Sequence, residues 1–319
     1  MLSFLAWYSV AVIEEKLVIL VPVFNDWNAA FVLLEKLNST SICPSVILIN
    51  DGSTDHPAPI LAQSSCDHLR SVEILHLRRN LGHQRAIAVG LMYAYQHRPC
   101  DVVVVMDGDG EDRPADVAVL LDKVRSAGGR EIVFAARAKR IETVAFRFLY
   151  QAYKLIHWAI TGDTVRVGNF SAIPFHFLSQ LSVTPEIWNH YAAGVIRSRL
   201  PFHTVPIARG RRYSGKSKMN FTSLLLHGLA AFFVYGDIVG ARMLVAIGTM
   251  IALEIVCLPW VSWPATVVVT LALIQSIPIA LLIVFCVMGN RSNGFLPIRD
   301  CPYFVDRIEQ LHMIGDGSK

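Results

Sequence analysis

Asp101–Met106 reads DVVVVM and runs straight into Asp107–Asp112, DGDGED. Val102–Met106 is an unbroken apolar, mostly β-branched run, the pattern of a strand covered on both faces. The acidic loop therefore sits at the end of a buried strand. Two carboxylates one residue apart at such an end, Asp107 and Asp109, can share one hard cation, directly or through water. Glu111 and Asp112 add oxygen ligands nearby, and Mg²⁺ or Mn²⁺ suits such a set. Alone, the same residues make an ordinary acidic turn; the preceding strand favours the ligand reading.

On either side the chain alternates strand-like and helix-like stretches. Leu17–Pro22 (LVILVP) and Val46–Asn50 (VILIN) read as buried strands, and Glu131–Ala135 as another. Trp27–Leu37, His83–Gln96 and Asp116–Ala127 carry helical spacing. Apolar runs separated by helices predict a mostly parallel sheet covered on both faces, with ligands at the carboxyl ends of the strands. Asp51–Asp55 (DGSTD) ends the second of these strands. It reads either as an Asx-type turn or as a loop in which Asp51 accepts a hydrogen bond from a nucleotide base. Ala145–Ile160 is expected to be a helix, Asp163–Ser171 a loop or short strand, and Val195–Pro206 strand structure. Arg209–Lys218 (RGRRYSGKSK) is a basic, glycine-bearing loop.

The chain has 319 residues and a net charge of +4, with 53% hydrophobic residues. Its mean hydropathy of +0.44 is high for a soluble protein. The excess lies in one place. Met243–Trp263 and Ala265–Met288 are each long enough to cross a hydrocarbon core, which needs about 20 helical residues. Trp260 and Trp263 fit an interfacial belt, and Arg242 and Arg291 flank the pair, which puts both ends in the cytoplasm. Residues 219–242 are expected to lie at the interface, with a third span as the alternative. Residues 1–16 form an extension too short to span and unlike a signal peptide. Residues 17–218 form the main domain, 243–290 a transmembrane hairpin and 291–319 a cytoplasmic tail. The six cysteines show no metal or disulfide spacing and read as free thiols. The basic clusters suit phosphates or an anionic membrane; no nucleic-acid-binding motif accompanies them.

VPVFND (Val21–Asp26), NDGSTD (Asn50–Asp55), RNLGHQRAIAVGL (Arg79–Leu91) and MDGDGEDRP (Met106–Pro114) resemble, in order, the motifs of the family-2 inverting glycosyltransferases of GT-A fold. RYSGKSK (Arg212–Lys218) followed by two spans resembles the branch of dolichyl-phosphate mannose synthase-like and bacterial polyprenyl-phosphate glycosyltransferases. The resemblance implies an α/β GT-A domain in which Pro22, Asp26 and Asp51 border the nucleotide base and ribose. Asp107 would face the ribose or the metal, Asp109 would bind the metal, and Glu111 would lie near it, where the branch usually has Gln. Arg212, Ser217 and Lys218 would belong to a loop closing over phosphates, and Arg137 and Arg140 would hold an acceptor phosphate.

Two positions depart from the family pattern. Asp26 stands where Glu is more usual. Gly168–Ser171 (GNFS) aligns with a Gly-Asp-Phe-Arg segment whose Asp is often discussed as catalytic, and Asn169 cannot be a general base. The catalytic set implied is thus Asp109, Arg212 and Asn169.

The implied reaction is inverting, metal-dependent transfer from a nucleotide sugar to a polyprenyl phosphate by an enzyme of the bacterial inner membrane, its catalytic domain cytoplasmic. The alternatives are another lipid or glycan acceptor, or a silent nucleotide-sugar-binding protein. The expected partners are donor, lipid acceptor and membrane, with no nucleic acid; a homo-oligomer is compatible.

Overall fold

The computed structural model describes residues 16–55, 67–137, 167–213, 233–257, 264–290 and 294–313, together with 151, 158, 161, 162, 230 and 231. Arg140, Asp163, Ser217, Lys218, the N-terminal extension before Lys16, most of the expected 145–160 helix and half of the 219–242 segment lie outside the described residues.

Among the described residues one sheet of eight strands organises the chain: β1 Leu17–Val23, β2 Ser45–Asn50, β3 Ser71–Leu77, β4 Val102–Val105, β5 Ile132–Arg137, β6 Ser171–Pro174, β7 Phe202–Ile207 and β8 Val305–Met313. Their spatial order is β7-β5-β6-β4-β1-β2-β3-β8. β4, β1, β2 and β3 are parallel neighbours. β6 runs antiparallel to β4 and β5, and β8 runs antiparallel to β3. The sheet is therefore mixed, with the expected parallel pattern at its centre.

Both faces are covered, which explains the unbroken apolar runs. Val18, Leu20, Ile47, Ile49, Val103 and Val105 face a core shared with α2, His83–His97, and α4, Tyr191–Arg197. Ile19, Val21, Val46, Leu48, Val102 and Val104 face the opposite core, shared with α1, Trp27–Asn38, and α3, Pro114–Ser126. The C-terminal turn of α4, Val195–Arg197, corrects the strand expected over Val195–Pro206, of which only Phe202–Pro206 is strand.

β1 lies between β4 and β2, while the chain proceeds from β1 to β2 to β3 before crossing back to β4. That reversal opens a crevice at the carboxyl ends of β1 and β4, the position where open α/β sheets bind ligands.

β3 was not expected from sequence. Its SVEILHL places Glu73 and His76 in the interior, at 1% and 5% exposure. Glu73 is tolerated because Arg98 Nε and Nη2 donate to its two oxygens at 2.7 and 2.6 Å, and Tyr93 Oη donates at 2.9 Å. Removing one partner of such a pair leaves a buried charge and costs about 3 kcal/mol. Arg98→Ala is therefore expected to lower the thermal midpoint by about 9 °C; an unchanged midpoint would show that the buried Glu73 does not depend on this partner.

Residues 294–313, within the 291–319 stretch expected as a tail, contribute to the domain. β8 completes the sheet at the β3 edge, and Phe295 stacks on Trp188 with ring centres 4.0 Å apart. The apolar segment is thus inserted between β7 and β8 of a single sheet. It comprises α5, Gly236–Cys257, and α6, Ala265–Asn290, which pack on each other. α5 starts seven residues before the expected span, at Gly236 rather than Met243. Among the described residues one helix, Gly236–Val256, is long and apolar enough to cross a membrane, and a shorter apolar stretch, Thr270–Ile283, lies in α6. Val245 and Ile255 are 70% and 67% exposed, so this helix is no buried core element. Its base is docked on the domain: Tyr235, Val234 and Val239 pack against Ala193 of α4, and Arg197 Nη2 donates to Asp237 at 2.7 Å.

Candidate active site

The loops after β1, β2, β3 and β4 converge at the crevice. Asn25 adopts a left-handed φ of 49°, which Asn tolerates better than most residues. This turn lets its backbone N–H donate to Ser53 Oγ at 3.0 Å while its Oδ1 accepts from Thr54 N at 2.8 Å. Asn50 Oδ1 accepts from Ser53 N at 2.9 Å. The DGSTD loop is thus laced to the loop carrying Asp26.

Asp51 is 2% exposed. Leu81 N and Gly82 N donate to its carboxylate at 2.7 and 2.9 Å, and Asn80 Nδ2 donates at 3.1 Å. Burial raises its pKa, and the Leu81 and Gly82 amides oppose that rise. Its visible role is to fix the loop that follows β3. Gly52 is part of the same joint: its φ is +67°, and a Cβ there would lie 2.5 Å from Asn80 N. Gly52→Ala is expected to push the two loops apart and lower the thermal midpoint; an unchanged midpoint would show that the joint tolerates a Cβ. Strained positions of this kind cost about 1–3 kcal/mol.

The acidic loop and the basic loop meet. Asp109 Oδ1 accepts from Glu111 N at 2.9 Å, and its Oδ2 accepts from Arg212 Nη1 at 2.7 Å. Arg212 Nη2 also reaches Asp26 Oδ2 at 3.5 Å. Arg209 pairs with Glu111. The backbones interlock as well: Gly210 N donates to Glu111 O, and Tyr213 N donates to Asp109 O, both at 2.8 Å. Tyr213 covers Gly110 so closely that a Cβ there would lie 2.7 Å from its ring. Burial and the neighbouring Asp107 raise the pKa of Asp109, against the lowering effect of Arg212 and Arg209. Burial lowers that of Arg209.

On the other side of Asp107, His83 Nε2 lies 3.2 Å from Asp107 Oδ1 and 3.0 Å from Asn169 Nδ2. Gln84 Nε2 donates to Asn169 Oδ1 at 3.2 Å. Asp107 N donates to the buried Asp112 carboxylate at 2.9 Å, which sets the turn. Burial would lower the His83 pKa, but Asp107, Asp112 and Asp51 together raise it.

The expected residues fall into three groups. Asp26, Asp107, Asp109, Glu111 and Arg212 come together, and Asn169 joins them through His83. Pro22 lies in β1 opposite Ile49 of β2, at the edge of the crevice. Arg137 ends β5 opposite Ile207, and Arg140, Ser217 and Lys218 lie outside the described residues.

The expected metal triad does not form a ligand cage: among the described residues no three His, Cys, Asp or Glu side chains converge on one point. Glu111 is instead taken up by Arg209. The residues still fit a divalent cation in the manner of Mg²⁺ sites, where one or two carboxylates share the ion with substrate phosphates and water. Asp107 raises the pKa of the half-buried Asp109, a like-charge repulsion that such an ion would relieve. Sequence reasoning missed Arg209, Asn80, His83 and Gln84, although the last three lie inside the quoted RNLGHQRAIAVGL stretch.

This arrangement, a nucleotide-type crevice over a mixed α/β sheet with an acidic strand-end loop, is that of a GT-A-like sugar transferase. The pattern of glycosyl transferase family 2 matches residues 18–203, and the chain belongs to that family and is a glycosyltransferase.

It is 34% identical over 228 residues to an uncharacterized glycosyltransferase, YkcC, of Bacillus subtilis (strain 168), covering 67% of each chain. It is 24% identical over 254 residues to the undecaprenyl-phosphate 4-deoxy-4-formamido-L-arabinose transferase of Pectobacterium carotovorum subsp. carotovorum (strain PC1), covering 74% of this chain and 72% of that protein. Its fold matches glucosyl-3-phosphoglycerate synthase of Mycobacterium tuberculosis, crystallised with Mn²⁺, UDP-glucose and phosphoglyceric acid. That match has a TM-score of 0.50 and 13% identity, over 71% of this chain and 80% of that one.

Proposed function

We propose that the protein transfers a sugar from a nucleotide-sugar donor to an acceptor held at the membrane, with a divalent cation, and that the acceptor is a polyprenyl phosphate. The observation that carries this reading is the meeting of Asp107 and Asp109 with Arg209 and Arg212 at the carboxyl ends of β1 and β4. A cation on the carboxylates and the guanidinium groups beside them are what a departing nucleoside diphosphate requires. The cation, Mg²⁺ or Mn²⁺, would be held by Asp107 and Asp109 and would polarise the diphosphate. Asp26 and Asp51 shape the wall for the base and ribose, with Asp51 acting through the loop it pins. Arg212, released from Asp109, is placed to follow the leaving phosphates.

The acceptor part rests on two supports. α5 is an apolar, exposed helix docked on α4, and α4 reaches the Asn169 side of the crevice through Tyr191. One relative is named for an undecaprenyl-phosphate acceptor. Both long helices are then a transmembrane hairpin with its ends, and the catalytic domain, on the cytoplasmic side. Arg137 and Arg140 would bind the lipid phosphate. A lipid phosphate needs no general base, because its second pKa is about 6, so Asn at position 169 is compatible with turnover. A second reading is another acceptor, lipid or glycan, on the same donor chemistry; the enzyme whose fold this chain shares was crystallised with an acceptor that is no lipid, phosphoglyceric acid.

The purified full chain, incubated with a panel of nucleotide sugars, is expected to release nucleoside diphosphate with Mn²⁺ or Mg²⁺ and to stop with EDTA. Release that is indifferent to EDTA would overturn the metal part of the reading. Arg212→Ala is expected to cut turnover at least about tenfold, at a cost of about 1.4 kcal/mol in the barrier, with membrane association intact. Loss of association alone would make this loop a lipid-surface contact instead.

A further inference from the structure

We propose that His76 and Glu309 are positioning residues of the donor site. A hydrogen-bonded series runs from β8 through β3 to Asn50 and holds the DGSTD loop in the shape that selects the donor's base. The proposal rests on the nucleotide-sugar reading above, in which this loop lies against the base.

The direction of the series is fixed at its site end. Ser53 N–H is a backbone group that can only donate, and it donates to Asn50 Oδ1 at 2.9 Å. The other arm of the Asn50 amide is then its NH₂, which faces His76 Nδ1 at 3.0 Å. An NH₂ group donates, so His76 Nδ1 accepts and the ring proton sits on Nε2. Glu309 Oε2 lies 3.0 Å from that nitrogen, and a carboxylate accepts. Each donor thus meets an acceptor. The opposite tautomer would set an N–H against the Asn50 NH₂ and a lone pair against the Glu309 carboxylate.

The strands place these groups. Asn50 ends β2 and is in register with His76 of β3. Arg307 of β8 is in register with His76, and Glu309 lies two residues further along the same face. Asn50 and His76 are 8% and 5% exposed. An apolar pair at these positions would serve the sheet about as well, because replacing both hydrogen-bonding partners by apolar groups is nearly neutral. What the polar series adds is the direction of Asn50 Oδ1, aimed at the loop.

The loop is tied on its other side by the segment after β1. Asn25 N donates to Ser53 Oγ at 3.0 Å, Thr54 N donates to Asn25 Oδ1 at 2.8 Å, and Trp27 Nε1 donates to Asp55 O at 3.2 Å. Asn50 supplies the tie from inside the sheet. Turned over, its NH₂ would face the Ser53 N–H and the loop would shift. A residue that follows the apolar helices, 233 positions from His76, thereby reaches the donor site.

The test uses the full chain in detergent with Mn²⁺ and the donor it turns over from a panel of nucleotide sugars. Inhibition by UDP, GDP, CDP and ADP is measured for the wild type, His76→Leu and His76→Asn. Leu suits a buried strand but offers no acceptor, whereas Asn brings an oxygen to the position of Nδ1. His76→Leu is expected to weaken the diphosphate that matches the donor's base about tenfold, the lower range of the cost of an unsatisfied buried donor, and to leave the other diphosphates as they were. His76→Asn is expected to restore most of that selectivity. A folded His76→Leu protein with wild-type selectivity overturns the proposal. So does an equal loss for every diphosphate, or a wild type that binds them all alike. Should His76→Leu fail to fold, Glu309→Ala decides. Its site is a half-exposed position on an edge strand, and the loss of the Nε2 acceptor is expected to lower selectivity about threefold; unchanged selectivity overturns the role of the series. If the wild type turns over no donor on the panel, the nucleotide-sugar reading itself fails and takes this proposal with it.

Discussion

Asp109→Asn is expected to lower turnover at least about a hundredfold while the protein stays folded. Asn can keep the local turn, because its Oδ1 can still accept from Glu111 N as Asp109 does, and the Tyr213 N to Asp109 O bond is made by the backbone. The charge is what disappears. With it go one carboxylate from the pair that would hold the cation and the anchor of Arg212 Nη1. Preorganised charge at a leaving group is worth about 2.7–4 kcal/mol per element in comparable sites, and about 2.7 kcal/mol is a hundredfold in rate. Turnover and thermal midpoint measured on the same preparation decide it. A folded variant with wild-type turnover would remove Asp109 from the catalytic account.

Truncation after Leu296 is expected to abolish accumulation of folded protein, although it leaves the whole family-matched region and both apolar helices in place. β8 pairs with β3 from Ser71 to Leu77. Arg78 N donates to Phe304 O at 2.9 Å, and His76 Nε2 lies 3.0 Å from Glu309 Oε2. Phe304 lies against Trp188, ring centres 5.1 Å apart. Loss of one large aromatic from such a cluster costs about 3–5 kcal/mol, and a bare β3 edge is an added liability. Domains have about 5–15 kcal/mol in total. Expression with protease-resistance mapping is the measurement. A truncated chain with the wild-type midpoint would show that β8 is dispensable. The consequence reaches the site, because Asn50 Nδ2 lies 3.0 Å from His76 Nδ1 and the same Asn50 holds the DGSTD loop through Ser53.

The parallel centre of the sheet was legible because β1, β2 and β4 are apolar on both faces, a pattern that few other structures produce. β3 was hidden by Glu73 and His76, residues that count as surface in a sequence and are interior only because Arg98, Tyr93, Asn50 and Glu309 arrive from elsewhere. β8 was hidden for a related reason. VDRIEQLHM is a charged edge strand, half of it exposed, and it follows an apolar segment that reads as the end of the domain. At the site, Asp107, Asp109 and Arg212 were legible from residue type and order. What spacing could not show is that Arg209 takes Glu111 away from the expected metal triad. Nor could it show that Asp51 spends its carboxylate on the loop after β3. His83 and Gln84 sat in a stretch already singled out, yet their roles depend on contacts with Asn169 and Tyr191, 86 and 107 residues away.

The account stands most directly on what receives the sugar. The full chain, with the donor it turns over and Mn²⁺, should be given undecaprenyl phosphate and undecaprenol in parallel, and the lipid products identified by mass. The account predicts a glycosylated lipid phosphate and no product from the neutral alcohol. Efficient transfer to the alcohol, or to a glycan, with none to the lipid phosphate would contradict it.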